Sequence, residues 1–242
     1  MSRSRLTRLP SLSEIRPRHL PAVYKILRKT FGPQDWWPGE TPFEVMVGAI
    51  LTQNTAWTNV EKAIANLKRA GSLSYKGLRA ISRKKLAQLI RPAGYFNIKS
   101  DRLKCFVDFL EKECGGDLRR LKRSAIPVLR QKLLSVKGIG PETADSILLY
   151  ALDKTSFVID AYTKRIFSRH GLASSEAGYD AWREMFTQAL PDDRGLYNDY
   201  HAQIVRLAKD FCRKLPRCGD CPLGGFGKKK TKFFPNSAVT FR

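Results

Sequence analysis

The 242 residues contain no apolar run that approaches the roughly 20 residues of a membrane-spanning helix, which excludes a helical integral membrane protein. The opening MSRSRLTRLP is basic, but no apolar stretch follows it, so a secretory leader is not expected. Strand-like alternation persists nowhere, and no hairpin dipeptide sits between two β-branched runs. Sandwiches and barrels are thereby removed, and the lack of a fixed-period repeat removes solenoids. Acidic residues are scarce: 22 Asp and Glu face 44 Lys and Arg, a formal charge of +22. A globular chain this basic faces a polyanion, and nucleic acid is the commonest one. An anionic membrane surface is disfavoured, because no basic amphipathic helix with bulky apolar anchors stands out.

Cysteine is also sparse, at five residues. Cys105, in RLKCFVDFL, reads as helix core, and Cys114 follows that helix. Cys212, Cys218 and Cys221 crowd together near the C-terminus. Such crowding points to a metal loop in a reducing cytoplasm, not to a disulfide framework.

What is present is helical. TPFEVMVGAILTQN (41–54) opens with Thr41, Pro42 and Glu44, a capping box with proline at the first helical position. It is apolar nearly all round, which predicts a central, buried helix. TNVEKAIANLKRA (58–70) opens with a second such box, Thr58 and Glu61, and stops at Gly71. Leu103, Phe106, Val107 and Leu110 form one stripe over 100–113, which Gly115 and Gly116 end. Further helices are predicted at 18–30, 82–90, 124–135, 142–152, 162–169, 177–189 and 196–212. The expected fold class is all-α, with a basic arm over the first 17 residues and a Gly- and Lys-rich tail after Cys221.

Between two of these helices lies SVKGIGPETAD (135–145). Gly138 and Gly140 permit positive φ and close approach, and Pro141 opens the next helix. Backbone N–H groups facing outward from such a loop form an anion site suited to a DNA phosphate, which grips without reading sequence.

LLSVKGIGPETADSILLYA, followed by SFVIDAYTKRIFSRHG, resembles the helix-hairpin-helix DNA glycosylases of the endonuclease III superfamily over most of residues 20–221. The resemblance implies two helical lobes flanking a DNA groove. It divides the chain into an arm and helix (1–38), a hairpin-bearing domain (39–153), a second lobe with the cysteine loop (154–225) and a basic tail (226–242). It implies that Lys137, Gly138, Ile139, Gly140 and Thr143 hold DNA and that Asp160, in FVID, is the catalytic carboxylate. Cleaving an N-glycosidic bond builds positive charge on the sugar, which a carboxylate stabilises while it orients or deprotonates water. An Asp in that place also suits a helix N-cap. Bifunctional members carry a nucleophilic lysine where this chain has Glu142, and a carboxylate cannot form a Schiff base. A monofunctional enzyme is expected; Lys137 and Lys164 are the lysines a lyase would have to use instead.

WWP (36–38), FEVMVGAILTQNT, a following aromatic and GYFNIKSDRL narrow the resemblance to 3-methyladenine DNA glycosylases of the endonuclease III type. That likeness implies a base pocket of Trp36, Trp37, Pro38 and Trp57, with Glu142 at its edge and Gln53 filling the gap a flipped nucleotide leaves. An alkylated purine is cationic, stacks on indole, and leaves without protonation. Mispaired or oxidised pyrimidines are poorer leaving groups, and a non-catalytic DNA-binding relative would have no use for Asp160. The family's iron–sulfur loop, C-x6-C-x2-C-x5-C, is matched only by Cys212, Cys218 and Cys221; the fourth cysteine is missing. A [4Fe–4S] cluster with a foreign fourth ligand, zinc with a histidine such as His201, and a loop without metal remain the three readings. The expected partner is double-stranded DNA holding a damaged base, met by a monomer in the cytoplasm at the nucleoid.

Overall fold

The computed structural model describes residues 18–34, 36, 39–171 and 174–224. The N-terminal arm, Trp37, Pro38 and the tail from residue 225 lie outside the described residues. Among those described there is no strand, and no helix is long and apolar enough to cross a membrane.

The α-helices are α1 (His19–Phe31), α2 (Pro42–Leu51), α3 (Trp57–Arg69), α4 (Tyr75–Ala80), α5 (Arg83–Leu89), α6 (Phe96–Cys114), α7 (Leu118–Arg123), α8 (Ile126–Leu134), α9 (Pro141–Ser146), α10 (Ala161–Arg169), α11 (Tyr179–Ala189) and α12 (Arg194–Asp210). The central helix is α2, buried at every residue from Phe43 to Leu51. Its cap forms as the sequence predicts, with the Thr41 hydroxyl accepting from Glu44 N at 3.1 Å. The second capping box does not form. Helix α3 starts one residue earlier, capped by Ala56, and Glu61 instead accepts from the Trp57 indole at 2.8 Å. Helix α6 also begins before its apolar stripe, because Tyr95 takes a left-handed cap conformation at φ 45°. The short helices α4 and α7 carry too few residues to show a period; Ser74 and Asp117 cap them.

Two apolar clusters organise the chain. One collects α2 to α9 around Met46, Ile50, Phe106 and Leu133. The other collects α1 and α10 to α12 around Phe157, Phe167, Trp182, Phe186 and Tyr200. Helix α1 reaches this second cluster across the length of the chain, held by Tyr200 Oη donating to Leu20 O at 2.9 Å.

The clusters meet where α9 widens into a π turn over Ile147–Ala151. That turn sends Ile147 and Leu148 into the first cluster and Leu149 into the second, while Tyr150 packs against both. A regular α-helix keeps residues three and four apart on one face, so an extra residue per turn is a direct way to serve two cores. An extended segment then buries Phe157, Val158 and Ile159 and delivers Asp160 to the start of α10. The segment is anchored by Asp145, which is 0 % exposed. Asp145 takes two bonds from the Arg130 guanidinium, at 2.9 and 3.1 Å, and one from Ser156 Oγ at 2.6 Å. A carboxylate buried this completely needs every such partner.

Candidate active site

The hairpin stands where the sequence puts it, between α8 and α9, and its two glycines differ. Gly138 has φ +87°, and a Cβ there would collide with the Arg102 side chain. Gly140 is extended (φ −90°, ψ 177°) and caps α9 with open space where a Cβ would point. Only Gly138 therefore needs glycine for its backbone. Lys137 and Gly140 are exposed, whereas the Ile139 side chain is 4 % exposed and belongs to the core. Its N–H is used internally, on Val136 O at 3.0 Å.

Gln53 projects from the turn after α2 onto this hairpin. Its amide donates to Gly138 O and to Thr143 Oγ1, both at 2.9 Å, and its Oε1 accepts from Arg102. Thr143 is buried and acts here as a support for Gln53. Behind the turn lies Lys99, 1 % exposed. Its ammonium donates to Leu51 O at 2.8 Å, Thr55 Oγ1 at 2.6 Å and Ala93 O at 2.8 Å. Burial, with the Arg102 charge adding, pushes its pKa down to about 8. Neither Lys99 nor Arg102 was found from the sequence. A lysine on a helix reads as solvated, although GYFNIKSDRL was singled out as a block.

Asp160 caps α10. One carboxylate oxygen, Oδ1, accepts from Thr163 N at 2.7 Å and Thr163 Oγ1 at 2.8 Å. The other, Oδ2, faces His201 Nε2 at 3.5 Å, with the Asp160 and His201 side chains 13 % and 7 % exposed. Burial works to raise the Asp160 carboxyl, but His201 and the two Thr163 bonds outweigh it and hold the pKa below its ordinary value. His201 Nδ1 is 2.6 Å from Tyr150 Oη. Burial and the Asp160 charge push the Tyr150 phenol well up, while the Trp36 side chain, a hydrogen-bonding neighbour, opposes them.

Glu142 shares this cleft. Counted as a whole residue it is open to solvent, yet protein crowds its carboxyl on most sides. That crowding and the Asp160 charge push its pKa up to about 7, against the pull of His201 and Lys164. The upward direction does not rest on crowding alone, since two nearby carboxylates cannot both ionise at their ordinary values. The pair is thus split, one acid held ionised and the other near neutrality, which is the pattern of a site with two distinct roles.

Of the aromatic residues, Trp36 belongs to this assembly, with Lys209 Nζ 5.8 Å from its ring centre. Trp57 lines a cavity of about 500 Å³ with Gly39, Glu40, Glu44 and Glu61, whose walls do not include Asp160, Glu142 or His201. Its rim at Gly39 directly follows the WWP segment. The two ring nitrogens of His201, named above as a candidate zinc ligand, face Tyr150 and Asp160.

In the cysteine loop, Cys212 is buried, Cys221 half-buried and Cys218 exposed. Among the described residues no three His, Cys, Asp or Glu side chains are placed to hold a metal. Instead the loop is closed by protein. Arg169 Nη1 lies 3.4 Å from Cys212 Sγ, Arg165 binds Cys212 O at 2.9 Å, and Gly224 N binds Cys221 O at 2.7 Å. This donor set does not fit a four-thiolate cluster, and no step is routed through one.

The family model of HhH-GPD superfamily base excision DNA repair proteins matches residues 47–192. The chain belongs to the HhH-GPD superfamily. A provisionally named DNA repair glycosylase of Methanocaldococcus jannaschii is 50 % identical over 206 residues, 84 % of this chain and 93 % of that one. The solved structure of the H. pylori 3-methyladenine DNA glycosylase bound to 1,N6-ethenoadenine is 31 % identical. It covers 82 % of this chain and 98 % of its own, with a TM-score of 0.69. A non-covalent endonuclease III–DNA complex shares the HhH-GPD fold, with a TM-score of 0.74 at 18 % identity over 86 % of this chain and 93 % of that one. The resemblance to helix-hairpin-helix DNA glycosylases and the all-α fold are borne out.

Proposed function

We propose that this protein is a monofunctional DNA glycosylase that binds duplex DNA and removes alkylated purines such as 3-methyladenine. The observation that carries the reading is the pairing of Glu142 with Asp160, where a lyase would have a lysine. In this reading the hairpin and Gln53 hold the backbone around a flipped nucleotide. Asp160, ionised and fixed by Thr163, faces the sugar. The bond from C1′ to the base nitrogen breaks, and its electron pair leaves with the base. Positive charge on the sugar is stabilised by Asp160, water adds to C1′, and its proton passes to the carboxylate. Glu142, with its pKa near 7, can present a neutral carboxyl to the leaving base. An indole at this cleft, that of Trp36 beside Tyr150, suits a cationic base over a neutral one. The likeness to the H. pylori enzyme supports the same substrate class.

A lyase reading would fall to Lys164, which lies within electrostatic reach of Glu142 and also donates to Ala177 O at 3.3 Å. A panel of duplexes with single defined lesions, run with and without hot alkali, separates the two. Excision of 3-methyladenine with nicking only after alkali is the expected result. Nicking without alkali, lost in Lys164→Ala, would establish the lyase instead. Excision confined to uracil, thymine or oxidised pyrimidines would overturn the substrate class.

A further inference from the structure

His201 is absent from the sequence motifs that define the site, yet it is the residue in contact with the free oxygen of Asp160. Thr163 occupies Oδ1 through two bonds, which leaves Oδ2 to His201 Nε2 at 3.5 Å. The other ring nitrogen, Nδ1, is 2.6 Å from Tyr150 Oη. Tyr150 stays a phenol at any working pH, because its burial and the Asp160 charge oppose ionisation. With Nε2 facing a carboxylate, Nδ1 is left to accept the hydrogen bond of the Tyr150 hydroxyl, which keeps its proton. The tautomer follows: Nδ1 accepts from Tyr150, and Nε2 carries the hydrogen that points at Asp160. The Trp36 side chain lies against the same phenolic oxygen. The chain of side chains therefore runs from the aromatic segment at residue 36, through Tyr150 and His201, to Asp160.

We propose that His201 is a positioning residue for Asp160, held in one tautomer by Tyr150, and that the Trp36–Tyr150–His201 chain aims the carboxylate at the sugar and keeps it ionised. The proposal rests on the reading of Asp160 as the catalytic carboxylate. Three elements bring it together: the π turn supplies Tyr150, α12 supplies His201, and α10 supplies the Asp160 cap. A π turn placed at a junction between two cores is what lets Tyr150 reach across. The 3.5 Å separation is loose for a hydrogen bond, as is common before substrate draws a site together. The charged or titratable groups facing Asp160 are Glu142 from α9, Tyr150 from the π turn, His201 from α12 and, through Glu142, Lys164 from α10. Of these, His201 favours ionisation of Asp160, and the Asp160 charge in turn opposes ionisation of Glu142.

The test compares wild type with His201→Phe, His201→Gln, Tyr150→Phe and Asp160→Asn. Single-turnover excision on lesion duplex is followed across pH, and the Asp160 carboxyl carbon is titrated by NMR. His201→Phe should keep duplex affinity, lose about tenfold in excision, and move both the acid limb and the Asp160 titration upward by about one pH unit. His201→Gln, whose amide can still donate to Asp160, should recover part of the loss. Tyr150→Phe should shift the limb in the same direction by less, and the His201→Phe, Tyr150→Phe double variant should add little to His201→Phe alone. A folded His201→Phe or Tyr150→Phe protein with the wild-type limb and the wild-type Asp160 titration would overturn the proposal. Activity retained in Asp160→Asn would overturn the functional reading of Asp160, and this inference with it. Asp160→Asn inactive alongside an unshifted His201→Phe defeats this inference alone.

Discussion

The hairpin at 135–141 and the acid cleft around Asp160 are built on opposite plans. The hairpin is local. Its turn is set by Gly138 and its exit by Pro141, a few residues apart in the chain. The cleft is assembled at long range, from residues 36, 142, 150, 160 and 201, and each acid in it has been moved from its ordinary pKa. A surface that grips any DNA can be encoded in a dozen consecutive residues. A surface that breaks one bond needs charge placed in a low-dielectric cleft, and that takes two cores and the junction between them.

The sharpest way to break this comparison is Asp160→Asn. Asparagine keeps the cap oxygen for Thr163, so α10 should hold. The negative charge that the proposed mechanism aims at the sugar disappears, and single-turnover excision should fall by about a hundredfold to a thousandfold. Affinity for lesion duplex should persist or tighten. A variant with more than a tenth of the wild-type rate would move the catalytic role elsewhere in the cleft.

Gly138→Ala probes the other plan. The new Cβ must sit at φ +87° and against Arg102. Strain of this size is about 1–2 kcal/mol, and it displaces the partners of Gln53. Binding to damaged and undamaged duplex should weaken alike, by roughly five- to twentyfold, in a titration read by anisotropy. Selective loss of lesion binding would show that the hairpin takes part in base recognition, and the two regions would no longer divide as described.

The same division explains what the sequence could and could not reveal. The caps at Thr41 and Asp160, the positive φ of Gly138 and the helix start at Pro141 are local features, set by residues within three positions, and are legible in the sequence. Gly140 permits positive φ as Gly138 does, but its backbone is extended and makes no use of that freedom. Thr58 and Glu61 matched a capping box by spacing, yet the Trp57 indole captured Glu61. The contacts of Tyr150, His201, Lys99 and Arg102 at this site give no readable signal, because most of the partners lie more than 40 residues away in the chain. A buried lysine and a buried histidine look solvated until the fold encloses them.

Glu142→Gln gives the smallest change and bears on both regions, since this residue starts the helix behind the hairpin and closes the acid cleft. In wild type the Glu142 pKa of about 7 lies above its unfolded value near 4.3. Between those two values the folded state binds more protons, so this carboxyl's contribution to stability falls as pH rises from about 4.3 to 7. Above 7 Glu142 is ionised beside Asp160, and the folded protein carries the full repulsion. Glutamine removes that repulsion at no cost in volume. The variant should therefore melt higher than wild type at pH 8 and no differently at pH 4. Excision should respond over the same range. If a neutral Glu142 faces the leaving base, the wild-type rate declines as pH passes through about 7. In Glu142→Gln, whose amide still donates, that decline should vanish with only a few-fold change at pH 6. A descending limb that stays at neutral pH in the variant would assign it to another group, and Glu142 would then be a helix-start acid that the fold tolerates and the chemistry does not use.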